Sequence, residues 1–198
     1  MGLELDYIFG QTPIDEEEKE GLLIETISTK KELDEFEQKN IEQAIQWLIG
    51  RKLDIDHILS EAFVKLLHKR MYGEVWSWAG EFRKSDKNIG ITSWRIPTEL
   101  KVLLDDTKYW IENNTYSNDE IAIRFKHRLV SIHCFSNGNG RHSRLMADII
   151  IEKIFNEQIF NWGNSNLSEG NENRREYLNA IKLADQGNVL RLLGFARG

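Results

Sequence analysis

The run HCFSNGNGRHSR, residues 133–144, concentrates the chemistry of this chain. It sets a histidine four residues ahead of an Asn-Gly-Asn-Gly turn, with two arginines just beyond. A histidine with an ordinary pKa of about 6.5 can act as a base near neutral pH. Gly138 and Gly140 let backbone come close to a ligand. A helix starting at this turn would aim unpaired N–H groups and the positive end of its dipole outward, which suits an anion. Arg141 and Arg144 would share one face of its first turn and fit phosphate oxygens. A polar turn with solvated arginines is the plain alternative. Two cations in a first turn oppose the helix dipole, however, and such an uncompensated conflict points to a functional site.

Helices must position these residues. Apolar spacing is helical along most of the chain. Residues 30–49 place Leu33, Phe36, Ala44, Ile45 and Leu48 on one face, with Ser28 or Thr29 as cap and Gly50 as stop. A second helix is expected over 56–72, through Leu59, Phe63, Leu66, Leu67 and Met71 to Gly73. Pro97-Thr98 opens a third, with Leu100, Leu103, Leu104 and Trp110 inward. Ser117–Glu120 reads as a capping box for a fourth, which ends at His133. Asn139 would cap a fifth, starting near Arg141 and apolar around much of its girth, as befits a central helix. Helices over about 171–185 and from Val189 to Phe195 follow. The exception is 75–94, whose second half reads as a short β-hairpin or flap. Trp76, Trp78 and Phe135 read as core anchors. The expected fold class is mainly α, a helical bundle with a small β-hairpin over the site. An N-terminal extension, 1–29, precedes a single domain, 30–198.

Bulk properties narrow the partners. The net charge of −6 argues against a nucleic-acid backbone as main partner. A lone cysteine, Cys134, excludes an internal disulfide and a cysteine-paired zinc site, and reads as packing. No apolar run reaches membrane-spanning length, and MGLELDYIFG lacks the features of a signal peptide, so a cytoplasmic protein is expected.

The run resembles the Fic-domain signature H-x-F-x-[D/E]-G-N-G-R-x-x-R, matching at His133, Phe135, Gly138, Asn139, Gly140, Arg141 and Arg144. VWSWAGEFR at 75–83 looks like the segment leading to that family's flap. TPIDEEEKEGL and YLNAIKLADQG resemble the short members called mobile mystery protein B. The resemblance implies AMP transfer from ATP to a Tyr, Thr or Ser hydroxyl of a target protein. It makes His133 the base, and Gly138, Asn139 and Gly140 the anion hole. Arg141 and Arg144 become the phosphate ligands, with Arg144 toward the γ end. A flap (about 81–96), with Lys84, Asn88, Ile89 and Gly90, would dock the target by strand pairing. Position 137 usually carries a Mg²⁺-binding acid; Asn137 brings an oxygen but no charge, so metal binding would lean on ATP itself. A nearby antitoxin or regulator is a further implied partner. Some relatives carry an inhibitory [S/T]-x-x-x-E-[G/N] helix. Ser165–Gly170 (with Glu169) and Ser168–Asn173 match by composition, and Glu20-Gly21 lacks the Ser or Thr. Two other readings stand: an impaired nucleotide-binding module, and a phosphate-transferring relative, which Gly140 opposes because that branch usually has Lys there.

Overall fold

Thr29 starts the first long helix by accepting a hydrogen bond from Glu32 N, while the Glu32 carboxylate returns to Thr29 N. A computed structural model describes residues 13–164 and 172–198. After a single turn, α1 (Glu16–Lys19), come α2 (Lys30–Leu48), α3 (Ile55–Ile58), α4 (Glu61–Tyr72), α5 (Ile96–Glu112) and α6 (Asn118–Ile132). Then follow α7 (Asn139–Ile149), α8 (Glu172–Asp185) and α9 (Leu190–Arg197). Helix α2 packs on α4, α5 and α7 both pack on α6, and α8 packs on α9. The mainly helical expectation is met.

Three expectations are corrected. The helix read over 56–72 is broken, because Ser60 accepts from Phe63 N and donates to His57 O, ending α3 and capping α4 at once. The buried face of α2 is Leu33, Glu37, Asn40, Ile41, Ala44 and Leu48, whereas Phe36 and Ile45 are exposed. At α6, Ser117 caps Glu120 N, but the Glu120 carboxylate turns to Arg124, so the capping box is only half made.

The expected β-hairpin is not found: among the described residues no strand occurs, and Leu22 and Trp76 form an isolated bridge outside the flap. Residues 84–92 form a loop braced by one buried side chain. Arg83 donates to His133 O (2.6 Å), to Ser85 O (2.8 Å) and to Ile91 O. Its guanidinium thus takes the carbonyls that a cross-strand ladder would have used. The loop is also sewn to the motif segment, through Arg83 N to Cys134 O and Ile91 N to Ile132 O. Lys87 ties it to the N-terminal segment, pairing with Asp15 (2.6 Å) and Glu18 (2.5 Å).

The core runs between α2, α4, α5, α6 and α7 and includes Ile14 and Ile27 from the N-terminal segment. Past Ile149 the central helix widens into a π-helical stretch, Ile150–Ile154. No helix of the described residues is long and apolar enough to cross a membrane.

Candidate active site

The motif loop hangs between α6 and α7. His133 closes α6 in the left-handed region (φ 57°, ψ 61°), a sparsely populated conformation for a residue with a side chain. Gly138 rather than Asn139 holds the cap position of α7, also with positive φ (77°). A methyl there would come within 2.5 Å of the Tyr72 ring, so the position admits only glycine. Asn139 is then the first helical residue. Its amide accepts from Phe135 N (2.9 Å) and donates to Phe135 O (2.7 Å), tying the loop to itself. No side chain caps α7, which leaves its first N–H groups to a ligand or water.

Two histidines missed by the sequence reading hold this loop. His68 on α4 stacks on Phe135 with ring centroids 3.7 Å apart. Its Nε2 bonds the Asn137 carbonyl and its Nδ1 accepts from Gly80 N, each at 3.0 Å, which fixes the proton on Nε2. His142 is buried against Phe135 and donates to Val64 O. Burial pushes His142 down to about 4 and holds His68 well below the ordinary histidine range. Phe135 is wholly buried, as expected of an anchor. Trp76 is likewise wholly buried, and Trp78 is partly so. Burial raises Cys134 to about 12, which fits packing and not chemistry.

His133 is 5% exposed. Burial pushes it down to about 4, with the Arg83 charge adding to the effect, while a hydrogen bond to the Val130 carbonyl opposes it. The ring is neutral at physiological pH. A carbonyl only accepts, so the nitrogen facing Val130 carries the proton and the other carries the basic lone pair.

The arginines have different surroundings. Arg141 Nη2 meets a Glu37 carboxylate oxygen at 2.5 Å, and its guanidinium lies 5.2 Å from the Tyr72 ring centroid. Burial alone would lower Arg141, but Glu37 more than compensates and keeps it charged. Arg144 lies over the Tyr177 ring of α8 at 5.5 Å, and Lys126 lies over the same ring at 4.6 Å. The fully buried Lys126 ammonium makes no regular hydrogen bond among the described residues. Burial would raise the Tyr177 phenol, but the Lys126 and Arg144 charges outweigh it and the net direction is down. Positive charge is therefore concentrated on the Arg144 side of the loop.

Asn137 keeps its oxygen on Gly138 N (2.7 Å), with its nitrogen 3.5 Å from Glu37 Oε1. Among the described residues no group of three or more His, Cys, Asp or Glu side chains is placed to hold a metal. The side chains therefore do not fit a Mg²⁺ ion held by the protein alone. The carboxylate beside the motif is Glu37, which the sequence reading passed over. An acid on the Leu33–Ile41–Ala44 stripe of α2 was the available signal. Lys126, on the inner face of α6, was another.

In the flap, Lys84, Asn88, Ile89 and Gly90 are all exposed. A methyl on Gly90 (φ 90°) would lie 2.5 Å from His133 Cβ, so this glycine rests directly on the candidate base. Trp94, next to the flap, is 77% exposed. Glu20 is exposed at the end of α1. The inhibitory-helix match at 165–170 and most of that at 168–173 fall outside the described residues.

A left-handed histidine, an uncapped helix N-terminus and two arginines thus meet around one glycine turn. Residues 58–151 match the Fic/DOC family. The chain is 28% identical over 128 residues to a protein adenylyltransferase Fic of Drosophila mojavensis, covering 62% of this chain and 24% of that protein. The Aedes aegypti protein of the same name is 23% identical over 164 residues, covering 80% and 31%. The chain thus spans about a quarter of the length of the first of these relatives. Among solved structures, Fic-1 of C. elegans superposes with a TM-score of 0.67 at 22% identity, covering 90% of this chain and 51% of that one. BepC of Bartonella tribocorum, solved with bound AMPPNP, gives 0.65 at 16% identity, covering 92% and 97%. These likenesses establish the fold.

Proposed function

We propose that this protein transfers AMP from ATP to a Tyr, Thr or Ser hydroxyl of a target protein. The observation that carries the reading is the motif loop, which sets a neutral histidine beside an uncapped helix N-terminus flanked by two arginines. The target oxygen forms a bond to the α-phosphorus, and the bond from that phosphorus to the bridging oxygen breaks. Pyrophosphate leaves, and the hydroxyl proton passes to the basic nitrogen of His133. The N–H groups at the head of α7, with Gly138, Asn139 and Gly140, cradle phosphate oxygens. Arg141 neutralises phosphate charge near the loop. Arg144, reinforced by Lys126, holds the terminal phosphate. The side chains of this site do not themselves hold a Mg²⁺ ion, so any Mg²⁺ would have to be carried by the nucleotide, where it would supply charge neutralisation. The flap presents Lys84 and the backbone of Asn88, Ile89 and Gly90 to an extended target segment, and sets its hydroxyl over His133.

The test is incubation in cell lysate with ATP labelled at the α-phosphate and, separately, at the γ-phosphate. Label on protein from the α position alone supports AMP transfer. Label from the γ position means a kinase. His133→Ala should abolish labelling and keep ATP affinity within about threefold, since the base acts on the target hydroxyl. An equal loss of both would remove His133 from that role.

A further inference from the structure

Glu37 reaches the motif from outside it. Its carboxylate, fully enclosed, gathers Arg141 Nη2 at 2.5 Å, Trp76 Nε1 at 2.7 Å and Asn137 Nδ2 at 3.5 Å. These donors belong to the head of α7, the turn after α4 and the motif loop, so one side chain of α2 registers three segments. The Trp76 bond is short and buried on both sides, and it aims Oε1. Arg141 gives up one nitrogen and keeps its other donors for a ligand. The Asn137 amide is oriented from both ends, its oxygen on Gly138 N and its nitrogen toward Glu37. An aspartate at 137 would present oxygen to oxygen across that 3.5 Å gap, against a carboxylate that is fully buried.

We infer that Glu37 on α2 supplies the acid of this site and positions Arg141 for nucleotide phosphate, in place of ligating a metal. Asn137 is the neutral counterpart that this arrangement requires. Glu37 is accordingly a positioning residue. The inference rests on the nucleotide reading above, and its test reads binding rather than transfer.

Four proteins decide it: wild type, Asn137→Asp, Glu37→Gln and the double variant. Melting temperatures are measured first, then ATP affinity by calorimetry in EDTA and in Mg²⁺. Glu37→Gln should weaken ATP binding about 5- to 30-fold by releasing Arg141. Asn137→Asp should weaken it about tenfold or more, with no rescue by Mg²⁺. The double variant, with one carboxylate again in the pair, should recover most of the loss, a non-additivity that independent structural damage would not give. Tighter ATP binding by Asn137→Asp in Mg²⁺ alone would restore the metal-ligand role and overturn the inference. So would losses that simply multiply in the double variant. If Glu37→Gln does not fold, Asn137→Asp is compared with Asn137→Ala. A worse Asp variant supports the pairing, and a better one overturns it. Should the wild type bind no ATP, the nucleotide reading falls by itself. The melting-temperature cycle then decides the pairing, with non-additivity supporting it and additivity overturning it.

Discussion

Gly90→Ala separates target docking from nucleotide binding. The added methyl would meet His133 Cβ at 2.5 Å, Arg83 Nη2 at 3.1 Å and Ile132 O at 3.2 Å. His133 Cβ and Ile132 O cannot swing aside, the Arg83 tip is held by the carbonyls of Ser85, Ile91 and His133, and φ of 90° costs a further ~1–2 kcal/mol for a residue with a Cβ. The alternative is for the loop to lift. That loses Ile91 N to Ile132 O, about 1 kcal/mol, and Arg83 to Ile91 O, about 1.5–3 kcal/mol for a charged donor. Both routes cost a few kcal/mol, and the loop gives way before the helices because it lies outside their core. The melting temperature should therefore fall by about 3–10 °C, because a closed loop that is about 1.4–2.8 kcal/mol less stable lowers the whole folded state by as much, at about 2–4 °C per kcal/mol in a chain of this size. Exchange of the Ile91 amide should accelerate about 10- to 100-fold, matching 1.4–2.8 kcal/mol of local opening. Transfer to target should fall on the order of 10²-fold, the penalty for a displacement of about 1 Å, with ATP affinity unchanged. Hydrogen exchange, calorimetry and target kinetics read the three arms. Wild-type exchange and transfer would refute the reasoning. A parallel loss of ATP affinity would put the flap at the nucleotide instead of the target.

Arg141→Ala and Arg144→Ala should each weaken ATP binding by about 1–3 kcal/mol, and Arg144→Ala should also lose preference for ATP over ADP; equal losses for both nucleotides would move Arg144 away from the terminal phosphate. The pH profile of kcat/KM should show no inflection near 6.5, because burial has pushed the free-enzyme His133 down to about 4; a rise through 6–7 would contradict its enclosure. Acid should destabilise the fold. His68, His133 and His142 take protons when unfolded but resist them when folded, so stability is full above about 6.5 and is lost as pH falls toward about 4. Asp148, raised by burial to about 7, acts in the opposite sense and offsets part of the loss, so the net direction is destabilisation as pH falls from about 6.5 toward about 4. Urea midpoints at pH 7, 6 and 5 check this, and a constant midpoint would refute it.

Most helices were legible in the sequence because their ends carry their own chemistry: Thr29 and Ser117 as caps, Gly50 and Gly73 as stops. What failed did so through long-range demand. The face of α2 turned because Trp76 and Arg141, distant in sequence, need Glu37 inside. Local spacing favoured Phe36 and Ile45, which ended up exposed. The flap read as a hairpin because its composition alternates, but a single arginine supplies the closure that composition suggested strands would supply. Within the site, the motif residues could be named in advance. The groups that hold them could not, because His68, Glu37 and Lys126 lie on other helices at positions that look unremarkable one at a time.

Arg83 fastens the flap at its base, from Ser85, Ile91 and His133 inward, with Asp86 beside its guanidinium and Lys87 tied to Asp15 and Glu18, which leaves the exposed tip, Asn88 and Ile89, outside the clasp. Closure is thus separated from content. Residues of other chemistry can stand at that tip without unpicking the helices or the base beneath. On the docking role proposed for the flap, one chemical centre would be redirected among clients by exchanging the exposed tip residues, as immune receptors vary loops on a constant frame.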